Sequence, residues 1–267
     1  MRRTRWVVAA GMAVATIPTS SEAQQSRITS SNTIGWFTTS AGIKLTEKWG
    51  AHLEYQFRRD DLILDWQQSL ARVGASFQVH PRLLLRVGYA WVETFPYGDA
   101  PINAFGRTFT EHRAFQMAQL AHKEDVFDIT QRLMLEQRFI GQFDSAAAPS
   151  EARYPVSNRL RYMLRLQLPL SGRSDATNRA PYVAAYDEIL IGFGENVGQN
   201  VFDQNRAALL LGCAFTSLFR AEAGYLNQTL QLGREIEGRS VWQYNHGLIV
   251  NTQFTFDLSR RVDQLAQ

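Results

Sequence analysis

The sequence predicts an all-β protein, a transmembrane antiparallel up-and-down β-barrel of about twelve strands, of the outer-membrane type. Three observations carry that expectation. Apolar and polar residues alternate over stretches of about ten to fourteen residues through most of the chain, which is the pattern of strands with two different faces. Those stretches are about twice the usual strand of a soluble sandwich, and long enough to cross a bilayer when tilted. The polar faces hold arginine and glutamate but almost no lysine. Of 28 basic residues only Lys44, Lys48 and Lys123 are lysines. A confined interior favours the planar arginine fork, which engages several acceptors at once.

The chain of 267 residues opens with Arg2, Arg3 and Arg5, then an apolar stretch from Trp6 to Ile17, Pro18, and Ser21-Glu22-Ala23. This is the tripartite pattern of a secretory signal, with cleavage expected after Ala23; the apolar part is too short to span roughly 30 Å of hydrocarbon. Removal of residues 1–23 takes away three arginines and Glu22 and lowers the net charge from +3 to +1. The basic balance therefore argues for no nucleic-acid partner. The expected organisation is signal peptide 1–23, barrel 24–256 and periplasmic tail 257–267, in the cell outer membrane. Barrel-assembly machinery and outer-membrane lipid, including lipopolysaccharide, are the implied partners. At 45 % hydrophobic and 12 % aromatic the chain is no disordered segment. The single Cys213 excludes an intrachain disulfide framework and a cysteine metal cluster, and no cofactor is expected.

Residues 34–45 place Phe37, Thr39, Ala41, Ile43 and Leu45 on one face. In 49–58, Trp49, Leu53, Tyr55 and Phe57 oppose His52, Glu54, Gln56 and Arg58. In 67–78, Val73 and Phe77 oppose Arg72, and in 82–91, Leu85, Val87, Tyr89 and Trp91 oppose Arg86. A strand over 111–121 follows. In 131–139, Leu133, Leu135 and Phe139 oppose Arg132, Glu136 and Arg138. In 159–168, Leu160, Tyr162, Leu164 and Leu166 oppose Arg159, Arg161 and Arg165. Further strands are expected at 182–193, 204–215, 219–229 and 243–256, with Glu188, Arg206, Arg220 and Glu222 on polar faces. Aromatic residues near strand ends suit interfacial girdles. Connections at 46–48, 79–81 and 216–218 are tight, and those at 92–110, 140–158 and 194–203 are long; 169–181 is long where a short turn is expected. These are eleven strands. Bacterial barrels have even numbers, so the missing ascent is expected in residues 24–33, as a polar strand or as a segment threaded through the barrel.

Several short motifs follow in a familiar order: Trp36, Lys48-Trp49, Glu54-Tyr55-Gln56-Phe57-Arg58, Leu70-Ala71-Arg72-Val73-Gly74 and Leu85-Arg86-Val87-Gly88-Tyr89. Glu111-His112-Arg113-Ala114-Phe115-Gln116, Arg132 to Phe139, Asn158-Arg159-Leu160-Arg161, Asp187-Glu188 and Asn205-Arg206 follow. Over roughly 34–256 the chain resembles the bacterial family catalogued as domain of unknown function 2490. The resemblance implies an outer-membrane β-barrel and no particular activity.

Outward placement of the charged faces would cost about 2–4 kcal/mol per arginine at the bilayer midplane. The inward set is therefore Glu54, Arg58, Arg72, Arg86, Arg132, Glu136, Arg138, Arg159, Arg161, Arg165, Glu188, Arg206, Arg220 and Glu222. Such a set is either an ion-pair network bracing the wall or an electropositive path for small anionic solutes. The expected function is a narrow, porin-like, anion-preferring channel or a structural envelope component. A membrane-embedded enzyme acting on envelope lipid or lipopolysaccharide is the alternative. Its best cluster, Glu111-His112-Arg113, is split by alternation between two faces, and no catalytic residue is assigned. His52 and His112 are too isolated for a metal site. Asp60, Asp61 and Asp65 are expected in a solvated outer loop.

Overall fold

The computed structural model describes residues 27–170, 179–198 and 200–259. The expected signal peptide, most of the expected tail and residues 171–178 of the 169–181 connection lie outside the described residues. Eleven strands form one closed barrel: β1 (Arg27–Lys44), β2 (Trp49–Asp60), β3 (Asp65–His80), β4 (Leu83–Thr94), β5 (Phe109–Glu124), β6 (Phe127–Ile140), β7 (Val156–Pro169), β8 (Ala180–Phe193), β9 (Phe202–Ala214), β10 (Phe219–Ile236) and β11 (Arg239–Asp257). Each pairs antiparallel with its chain neighbours.

The count is eleven, and residues 27–33 supply no twelfth strand and no threaded segment. They extend β1, which lies parallel to β11 from Arg27 opposite Ser240 to Lys44 opposite Asp257. A parallel seam removes the even-number requirement, because the first and last strands then run in the same direction. It also leaves no edge unpaired. Side chains reinforce the seam: Asn32 Nδ2 donates to Asn245 Oδ1 at 2.7 Å, and the Thr39 and Thr252 hydroxyls are 2.9 Å apart.

The period-two pattern decides which face goes where. On β7, Leu160, Tyr162, Leu164 and Leu166 are exposed on the outer wall, whereas Arg159 and Arg161 are buried inside. The outer wall continues through Leu53, Val73, Val87, Leu133, Leu209, Leu211 and Leu248, all exposed. Cys213 lies further along β9, two residues beyond Leu211.

At one end the turns are short, at 45–48, 81–82, 125–126 and 215–218. Two use the same chemistry: the Thr46 hydroxyl accepts the Trp49 N–H at 2.9 Å, and that of Thr216 accepts the Phe219 N–H at 3.0 Å. At the other end lie the connections 61–64, 95–108, 141–155, 194–201 and 237–238. Asp60 and Asp65 pair across the 61–64 turn, as the ends of β2 and β3 rather than as loop residues.

The long β4–β5 connection folds inward across the mouth, toward the opposite wall. Ala100 and Ile102 pack with Leu230, Leu232 and Val241. Gln243 Nε2 donates to the Ala100 carbonyl at 2.7 Å, and Arg234 to that of Pro101 at 2.7 Å. Tyr97 donates to Gln243 Oε1 at 2.8 Å. Burial pushes the Tyr97 hydroxyl up to about 12, so it remains a donor at neutral pH. Gly98 has φ +59°, and a Cβ there would lie 2.2 Å from Asn32 Oδ1, so any other residue would be strained and would displace the Asn32 side chain.

Candidate functional site

Beneath the in-folded connection the interior is a layer of charge. Glu136 on β6 is 1 % exposed and faces β7, where Glu136 pairs with Arg159. Its carboxylate accepts Arg159 Nε at 2.8 Å and Nη2 at 2.6 Å, and Arg161 Nη1 at 2.9 Å. Arg159 also donates to Asp203 at 2.6 Å, and Arg161 to Glu188 at 2.8 and 3.0 Å. Glu188 further binds Arg132 at 2.8 Å and Arg206 at 3.5 Å. Glu111 is held by Arg113 at 2.7 Å and Arg138 at 2.5 Å. These charge-assisted bonds tie β5, β6, β7, β8 and β9 together.

The facing wall, β9 through β10 and β11 to β1, is built of neutral amides instead. Gln204 accepts from Gln228 at 2.7 Å, Gln228 accepts from Asn245 at 3.1 Å, and Asn245 accepts from Asn32 at 2.7 Å.

Between the two walls stands Trp36. The Arg58 guanidinium lies 3.8 Å from its ring centroid and that of Arg206 4.9 Å. A bulge at Arg58/Arg59 adds Gln67 to β3 and aims it inward, where it accepts the Trp36 Nε1–H at 2.7 Å. Arg58 donates to Gln56 at 2.6 Å and Gln68 at 2.9 Å but meets no carboxylate among the described residues.

This constriction separates two cavities, since Trp36, Arg58 and Arg206 line both. The upper one, of about 390 Å³, lies under the in-folded connection; the lower, of about 380 Å³, opens toward the short turns. Arginine outnumbers acid around each. The upper lining holds six arginines against Glu111 and Asp203, and the lower seven against Glu54, Glu188 and Glu222. In the lower cavity Arg72 pairs with Glu54 at 2.6 Å and Arg165 with Glu222 at 2.6 Å. Arg72 Nε and Arg132 Nε are buried without acceptors. Arg220 makes no ion pair within 4 Å among the described residues, and Arg86 donates only to Ser76, at 2.8 Å.

Of the residues singled out from sequence, Glu136, Arg159, Arg161, Glu188, Arg132, Arg138 and Arg206 share the central layer. Glu54, Arg72, Arg165 and Glu222 form two separate pairs lower down. Arg58 stands at the constriction, and Arg86 and Arg220 are outside every ion pair among the described residues. Sequence reasoning weighed Glu111 and Arg113 only as a catalytic cluster, and left them, with Asp203 and Trp36, out of the inward set. Period two in 109–117 would have found the first two, since Phe109, Glu111, Arg113, Phe115 and Met117 are all buried on one face. Asp203 and the bulge residue Gln67 carry no comparable signal. His112 is on the other face from Glu111 and Arg113, with its Nδ1 2.5 Å from the Tyr89 hydroxyl and its ring beside Tyr154. No group of three or more potential metal ligands occurs among the described residues.

The family model described as a protein of unknown function, DUF2490, matches residues 33–236, through the end of β10. The chain belongs to this family, as the order of its motifs indicates. No curated protein and no solved structure matches it.

Proposed function

We propose that this member of the DUF2490 family is an integral outer-membrane barrel whose interior passes small anions through a narrow, arginine-dominated path. The apolar outer wall supports the location: an exposed surface of this extent on a soluble monomer would be an aggregation hazard, whereas acyl chains solvate it. The tight turns 45–48, 81–82, 125–126 and 215–218 at one end and the long connections 95–108, 141–155 and 194–201 at the other suit a periplasmic and an outer face. Against that pattern, 170–179 is long at the first end, and 61–64 and 237–238 are short at the second. The observation that carries the anion preference is the surplus of arginine over acid in both cavities, which meet at Arg58, Trp36 and Arg206. Rings of cationic side chains favour anions in pores. Purified protein in planar bilayers under a KCl gradient should give small conductance steps with an anion-selective reversal potential.

A structural reading is favoured by one specific observation, the continuous chain of ion pairs from Asp203 through Arg159, Glu136 and Arg161 to Glu188. Absence of conductance at every voltage, with correctly folded protein, would leave bracing of the wall as the role of the charged layer.

A further inference from the structure

The upper cavity is lined by both apolar and charged side chains. Above and around it stand Ile102, Phe109, Phe143 and Leu232; at its floor stand Arg58 and Arg206 against the Trp36 ring. The lower cavity lacks this division: almost every side chain around it is polar or charged.

The acids of the upper lining are already engaged. Glu111 is held by two arginines, and Asp203 accepts from Arg159, Asn200 and Gln204. Arg58 is almost fully buried and has only glutamine oxygens and an aromatic face as partners. At the rim, Arg234 donates one Nη to Pro101 while its buried Nε has no acceptor. An inorganic anion would satisfy the floor but leave the apolar walls against water. A neutral apolar solute would cover the walls but strip water from two cations.

The geometry points to a binding site for an amphipathic organic anion: a carboxylate on the Arg58–Arg206 floor, with an apolar body of roughly one aromatic ring and a short chain under the in-folded connection. A cavity of about 390 Å³ falls within the range of ligand pockets. The site depends on the inward arginines and the connection, and does not require that the interior conduct. A silent bilayer recording therefore leaves it standing.

The test is titration calorimetry on the full chain in lipid nanodiscs, with 4-phenylbutyrate, acetate and 4-phenylbutanol as probes. Saturable binding of 4-phenylbutyrate is expected, with acetate and the alcohol each weaker by about tenfold or more, equivalent to about 1.4 kcal/mol. Arg58→Gln should weaken the acid by about tenfold while leaving the alcohol unchanged. Because Arg58 stands on the wall, a second variant guards against misfolding: Ile102→Asp places a charge among the apolar groups on a connection outside the barrel ladder, and should abolish binding. Absence of saturable binding, equal affinity for acid and alcohol, equal affinity for acetate, or wild-type binding by the Ile102→Asp protein would each overturn the assignment.

Discussion

Replacing Glu136 by glutamine removes the charge that Arg159 and Arg161 share while nearly conserving volume. The carboxylate accepts three charge-assisted bonds, of 2.6, 2.8 and 2.9 Å, in an almost fully buried position. Loss of one partner from a buried ionic group costs about 3–5 kcal/mol. Here Arg159 keeps Asp203 and Arg161 keeps Glu188, which puts the expected loss near the lower end, at about 3 kcal/mol. The assay is urea unfolding from lipid vesicles, followed by tryptophan emission, beside Asp144→Asn as a control. Asp144 meets Arg153 on an exposed connection at 3.0 Å, so its loss should leave the midpoint unchanged. A Glu136→Gln midpoint indistinguishable from that of the control would refute the bracing role of the layer.

Other perturbations separate the faces and the parts of the interior. Arg161→Asp puts an acid between Glu136 and Glu188, and Leu164→Asp puts one on the outer wall; both should weaken assembly, read as loss of heat-modifiable migration. Gly98→Ala forces a side chain onto Asn32 at a left-handed φ, and about 1–2 kcal/mol of strain should loosen the connection. Hydrogen exchange over 95–108 should rise, while exchange in β7 stays unchanged. Arg58→Gln removes a cation lining both cavities and should shift the reversal potential toward zero selectivity; an unchanged potential would place the anion path elsewhere.

The barrel was legible because period two is a strong signal when both faces are demanding. On β7 the exposed Leu160, Tyr162, Leu164 and Leu166 alternate with Arg159, Arg161, Met163 and Arg165, and the other strands follow the same rule over most of their length. The seam was hidden for a physical reason. Residues 27–33 read Arg-Ile-Thr-Ser-Ser-Asn-Thr, with no apolar face to mark a strand, and they are held by backbone pairing to β11 and by contacts such as Asn32 with Asn245. The reach of β10 and β11 toward the Glu237-Gly238 turn was underestimated for a related reason: the register shift between Gln231 and Glu235 breaks the alternation there. Within the candidate site, the ion pairs of neighbouring strands followed from alternation, as with Glu136 and Arg159. Contacts between distant strands did not, because Arg165 with Glu222 and Arg206 with Trp36 depend on how the ring closes. The inward fold of 95–108 depends on side chains of β10 and β11 far away in sequence.

The proposed location requires an apolar wall in contact with acyl chains and arginines turned away from them. Spin labels placed singly at Leu164, Leu209 and Leu248 outside, and at Thr38 and Gln119 lining the lower cavity, test this directly in a cysteine-free background of Cys213→Ala. In nanodiscs the outer labels should relax with lipid-soluble oxygen and ignore a water-soluble nickel chelate, and the inner labels should do the reverse. Outer labels that respond to the chelate as strongly as a label on the exposed Asp144 would contradict the account.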